Sequence, residues 1–153
     1  MYEPMRFLHI LFALSLFAGL GASMALRPLV GRLAASGHLE PVIGALERNV
    51  RIVTIPSGIL TVVFGFAAAE AGRWNTFTEG WLLISLLASL ALIGVNLFVV
   101  YPHFRQIREA LAEEPKPGAE LLARIRRPLI RYIGLGQMIT LLVIAYLMVY
   151  KPF

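Results

Sequence analysis

Four runs of apolar residues, at about 5–25, 52–69, 81–101 and 129–150, leave this chain few choices of fold. Each approaches the roughly 20 residues that an α-helix needs to cross a bilayer. Hydrophobic residues make up 58% of the 153 positions and charged ones only 15%, a balance that belongs to membrane proteins. The expectation is an all-α integral membrane four-helix bundle, with residues 1–153 forming a single domain. The first run lacks the basic start and small-residue cleavage site of a signal peptide and continues into a charged helical segment, so it is expected to stay in the mature protein.

Basic residues set the orientation. Arg27, Arg32, Arg48, Arg51, Arg105, Arg108, Lys116, Arg124, Arg126, Arg127 and Arg131 flank the runs on one side, against Arg6, Arg73 and Lys151 on the other. Under the positive-inside rule this bias predicts that both termini and the loop at 70–79 face outward across a bacterial inner membrane. The net charge of +5 then reads as topology and as contact with anionic lipid of the cytoplasmic leaflet, not as nucleic-acid binding.

The charged connections read as helices that prolong the spans on the cytoplasmic side. Residues 29–35 extend the first, Ser36-Gly37 breaks it with Gly37 as the hinge, and Pro41 opens a helix that runs up into the second. After the third span, H-F-R-Q-I-R-E-A-L-A-E-E alternates charges at helical spacing until Pro115 and Pro117 stop it. A-E-L-L-A-R-I-R-R leads into the fourth.

The absence of cysteine excludes disulfides, iron–sulfur clusters and thiolate metal sites. There is no aspartate, and the glutamates lie outside the apolar runs or at their ends, which argues against an intramembrane carboxylate relay. Within the runs the small and polar residues fall into stripes: Ser15, Gly19 and Ser23; Thr54, Ser57, Gly58, Thr61 and Gly65; Ser85, Ser89 and Asn96; Gly134, Gln137 and Thr140. Turned toward a common centre, they make a bundle whose interior is either close-packed, the ordinary use of such faces, or encloses a ligand. A partner or homodimer interface would use the same faces.

His9 stands apart as the one strong metal ligand within the spans. At 100° per residue it lies about 80° around the helix from Gly19 and about 40° from Ser23, at the edge of the stripe, so it can point inward. Its two readings are an interfacial histidine bonded to a carbonyl or water, and a functional ligand. His38 and His103 fall on the cytoplasmic side, a membrane's width away, which disfavours a bis-histidine haem.

Leu8-His9-Ile10, Phe17-Ala18-Gly19-Leu20 and Arg27 along the first helix, Pro56, Ile59-Leu60 and Phe64-Gly65 in the second, Gly80-Trp81 opening the third, and the terminal Val149-Tyr150-Lys151-Pro152-Phe153 together resemble the HemJ type of protoporphyrinogen oxidase and its four-helix relatives, including CopD-like domains. The resemblance implies a b-type haem bound through His9, Arg27 as a cofactor-binding residue, and oxidation of a porphyrinogen. The chain departs from the family where a methionine after the helix 2 proline is replaced by Gly58, and where a histidine and a lysine early in helix 3 are replaced by Leu83 and Ser85. Those departures argue against the standard oxidase activity. They leave electron transfer or haem and porphyrin handling as the expectation, with Ser85 and Ser89 near the macrocycle.

Two further readings belong to other classes. Met1, Met5 and His9 recur every four residues and would present two thioethers and an imidazole to Cu(I), which makes copper handling the alternative. The other is a structural or accessory subunit whose small-residue faces serve a membrane-complex partner.

Overall fold

The computed structural model describes residues 2–33, 39–113, 118–125 and 127–150, and the regular elements among them are all helical. Helix α1 is Tyr2–Leu33. Helix α2 (Glu40–Asn49) passes through a π-helical turn, Val50–Thr54, into α3 (Ile55–Ala71). Helix α4 (Gly80–Val95) passes in the same way through Asn96–Val100 into α5 (Tyr101–Glu113). A short α6 (Ala119–Ile125) precedes α7 (Pro128–Tyr150). The four rods Tyr2–Leu33, Glu40–Ala71, Gly80–Glu113 and Ala119–Tyr150 are each long and apolar enough to span a membrane.

Helix α1 runs past its apolar stretch to Leu33, and Pro41 occupies the first turn of α2, both as the sequence predicts. The predicted break at Ser36-Gly37, the Gly37 hinge and the stop at Pro115 and Pro117 lie outside the described residues. So do Met1, His38, Arg126 and the terminal Lys151-Pro152-Phe153.

Both π-helical turns precede a proline. Pro56 and Pro102 lack an N–H, and each ring crowds the carbonyl four residues back, a conflict that Pro28 meets inside α1 without such a turn. The widened turn relieves the conflict: the N–H groups of Ile55 and Tyr101 donate five residues back, to the carbonyls of Val50 and Asn96. The two turns lie against each other, so the second and third rods widen at one level.

The spans form a ring in chain order, α1 on α3, α3 on α4, α4 on α7 and α7 back on α1. The first of these contacts is the most extensive, and glycine makes it so. A Cβ on Gly19 would lie 2.8 Å from Thr54 Oγ1. Asn49 Nδ2 donates to the Gly19 carbonyl at 2.6 Å and to Ser23 Oγ at 2.9 Å, and the Phe12 and Phe64 rings stack 5.5 Å apart. Most of the predicted stripe residues face inward: Gly19, Ser23, Thr54, Ser57, Gly58, Ser85, Asn96, Gly134 and Gln137 are buried and Thr61, Gly65 and Ser89 partly so, whereas the exposed Ser15 and Thr140 hydroxyls bond the Leu11 and Gly136 carbonyls of their own helices. Phe7, Leu14, Val63, Leu87, Phe98 and Leu142 face out, as lipid-facing residues should.

Packing divides the bundle in two. At the basic end, Leu39, Ile43, Leu46 and Val50 meet Val100, Phe104, Ile107 and Leu111, all buried, with Val30 and Ile130 closing the cluster. Both quartets follow the i, i+4, i+7, i+11 spacing of a knobs-into-holes seam. Glu47, 1% exposed, flanks the seam, with Arg108 Nη1 2.7 Å from its Oε2. The contact is a close ion pair off the angles of a hydrogen bond. At the opposite end, where Tyr2 meets the Gly72 turn and Trp74 packs edge-on to Trp81 at 5.4 Å, the buried clusters are smaller.

Candidate cofactor site

A cavity of about 280 Å³ opens among α1, α3, α4 and α7 in this second half, away from the basic end. Its walls are almost wholly apolar, and His9, Thr61, Thr76, Ser85, Ser89 and Met148 are the side chains in them with a hetero-atom.

His9 reaches the cavity from α1 because the opposite face of α3 has a notch at Gly65. A Cβ there would lie 2.8 Å from His9 Nδ1 and 2.9 Å from Cε1. The ring therefore lies flush on α3, and Nδ1 sits 2.8 Å from the Thr61 carbonyl oxygen. A carbonyl only accepts, so Nδ1 carries the proton and donates it. Nε2 forms no hydrogen bond among the described residues, and it is the nitrogen that carries the lone pair whenever the ring holds a single proton. The Thr61 hydroxyl is turned away, donating to the Ser57 carbonyl at 2.7 Å, which leaves the Thr61 carbonyl as the contact for the ring.

Helix α4 brings Ser85 and Ser89 to the same cavity, so three of the four residues named from sequence for a cofactor converge. Ser85, 1% exposed, has an Oγ without a hydrogen-bond partner, and so does Thr76 Oγ1, from the loop before α4. A buried hydroxyl left unpaired is costly, and a ligand in the cavity would supply the missing partner.

The fourth residue, Arg27, lies elsewhere. Its Nη1 donates to the Ile130 carbonyl at 2.6 Å, and it lines a second cavity at the basic end together with His103. Met5 is half-buried one turn before His9 and is not among the residues around the His9 cavity. No cluster of three or more His, Cys, Asp or Glu able to hold a metal ion occurs among the described residues.

Met148 and Thr76 escaped the reading of the sequence. Met148 was legible in principle: Gly134, Gln137, Leu141, Ile144 and Met148 alternate spacings of three and four, continuing the α7 stripe down to the cavity. Thr76 sits in a loop and left no periodic signal.

Over residues 3–152 the sequence matches the family described as predicted integral membrane protein (DUF2269). No curated protein and no solved structure matches the chain.

Proposed function

The chain belongs to the DUF2269 family of predicted integral membrane proteins, and from that premise we propose that it holds a b-type haem in the cavity beside His9 and serves electron transfer or haem and porphyrin handling. The observation that carries this reading is the state of His9: Nδ1 tied to the Thr61 carbonyl at 2.8 Å, and Nε2 without a partner among the described residues. Histidines that ligate metals are commonly held in this way, because a hydrogen bond at one ring nitrogen fixes the tautomer, the orientation and the basicity of the other.

The donor set suits haem iron. One imidazole suffices for axial ligation, and a thioether is the usual second ligand where electron transfer is the task. His9 would hold the iron, Met148 is the soft side chain lining the same cavity, and the unpaired hydroxyls of Ser85 and Thr76 would meet polar atoms of the ligand. The cavity lies near the lower limit of ligand pockets, roughly 300 Å³, so a macrocycle would extend between helices toward lipid. A haem held there supplies a one-electron redox centre in a site of low polarity. We further propose that the basic end faces the cytoplasm and that both termini lie outside the bacterial inner membrane, on the strength of eleven basic residues against three.

The test is a pyridine haemochrome assay and visible spectrum of detergent-purified protein from haem-replete cells. The wild type is expected to show a Soret band and His9→Ala to lose most of it, with helix content and apo-protein stability little changed, since a ligand stabilises only the state that binds it. No Soret band in the wild type, or an equal band in His9→Ala, overturns the reading. Titration with Cu(I) of wild type, Met5→Leu and His9→Ala then separates copper handling from an accessory role.

A further inference from the structure

The second cavity, of about 590 Å³, lies at the basic end, with Arg27, His103, Arg127 and Arg131 in its wall and no carboxylate among the described residues that line it. Arg27, Arg124 and Arg127 all stand near enough to His103 to act on it electrostatically. The ion pairs among the described residues join Glu3 to Arg6, Glu109 to Arg105 and Glu47 to Arg108, so none of them neutralises a cation of this cavity. Several cations gathered in a partly buried space without a counter-charge raise the free energy of the fold unless an anion comes to share it.

Arg27 is held in place for such an anion. Gly134 on α7 makes room for its guanidinium, since a Cβ there would lie 2.5 Å from Nη1 and 3.0 Å from Cζ. Nη1 is committed to the Ile130 carbonyl, whereas Nε is buried without a partner. A guanidinium has five N–H donors in a planar fork, so one bond to a carbonyl does not exhaust them. The rest of the wall is apolar, with Val30, Ile43, Leu46 and Phe104. Leu135, also in the wall, is exposed on α7, and Leu29 on α1 and Leu129 on α7 are exposed beside the lining residues Pro28 and Ile130 in sequence.

We propose that this cavity binds a phosphate group, with Arg27 as the fixed donor and Arg127 and Arg131 as the mobile ones, and that its apolar wall takes the adjoining part of an anionic amphiphile. Guanidinium forks match phosphate oxygens two at a time. The mixed wall suits a lipid headgroup with its glycerol and first acyl carbons better than a fully hydrated ion. The site is separate from the His9 cavity and does not depend on the reading given to it.

Delipidated full-length protein in detergent is titrated with short-chain phosphatidylglycerol, with phosphatidylcholine of the same chain length and with inorganic phosphate, while thermal unfolding is followed. Phosphatidylglycerol is expected to raise the midpoint saturably, and phosphatidylcholine to leave it unchanged. Arg27→Gln and Arg131→Gln should each weaken the effect about tenfold, as loss of one charge-assisted contact implies. Arg105→Gln, exposed and paired with Glu109, is the control that changes nothing. Arg27→Gln also removes the bond to Ile130, so Arg131→Gln, exposed and without a hydrogen bond among the described residues, decides the matter if the first variant unfolds. Saturable stabilisation by inorganic phosphate, sensitive to the same variants and equal to that by phosphatidylglycerol, upholds the site and assigns it to free phosphate. Equal stabilisation by phosphatidylcholine, or undiminished response to phosphatidylglycerol in Arg131→Gln, overturns the proposal.

Discussion

A carbon atom added at Gly65 would come within 3 Å of two atoms of the His9 ring, closer than such atoms tolerate. Gly65→Ala should therefore tilt the imidazole away from the Thr61 carbonyl and disturb Nε2 without altering any donor. We expect it to reduce haem retention several-fold and to destabilise the apo-protein by about 1 to 3 kcal/mol, the ordinary range for overpacking. Gly94→Ala, which meets nothing within 4 Å, should do neither. Parallel Soret spectra and unfolding curves of the two variants check this, and an intact spectrum in Gly65→Ala would mean that the ring is not held by the notch. The sequence placed His9 at the edge of a packing stripe and marked Gly65 as part of another, but it did not bring the two together. That pairing depends on the rotation and height of α1 against α3, which no periodicity in either helix encodes. The burial of Glu47 was hidden for a related reason: Arg48 beside it offers a charged neighbour in sequence, and its actual partner Arg108 is 61 positions away.

At the scale of elements, helix type and approximate extent were legible, because apolar runs of spanning length admit little else. The π-helical turns were not. Pro56 and Pro102 were visible in the sequence, yet a proline inside a helix can kink it, end it, widen a turn or, like Pro28, leave it regular, and no local pattern distinguishes these outcomes. The seam between α2 and α5 was readable, as its two quartets share one spacing, but the charged residues interleaved with them drew attention to the surface instead. Asn49, at the end of α2, binds this half to α1 through a single amide that meets both the Gly19 carbonyl and Ser23 Oγ. Asn49→Ala should cost about 1 kcal/mol, the scale of polar contacts between membrane helices. Equilibrium unfolding in mixed detergent micelles measures it, and a Ser23→Ala, Asn49→Ala cycle should show a non-additive term, since the two changes remove a shared bond. Strict additivity would assign the loss at Asn49 to Gly19 alone.

Across the whole molecule, charge decides orientation and packing decides where the bundle is soft. The orientation is checked with single cysteines at Phe77, exposed in the loop before α4, and Ala119, exposed at the start of α6. The chain has no native cysteine to confuse the result. An impermeant thiol reagent applied to spheroplasts should label Phe77→Cys and spare Ala119→Cys; the reverse pattern would mean that the protein is inserted the other way round.

The two halves of the core are held together differently, and this has a mechanical consequence. Where the second and third rods are riveted at the base by a continuous seam and their π-helical turns lie side by side above it, thermal motion collects in the arms beyond, much as in a pair of tongs. Amide exchange should then be slowest around Leu46 and Ile107, at the charged end of the bundle, and faster beside the His9 cavity. A ligand of the His9 cavity would pass in and out sideways through the arms while the seam between α2 and α5 stays closed.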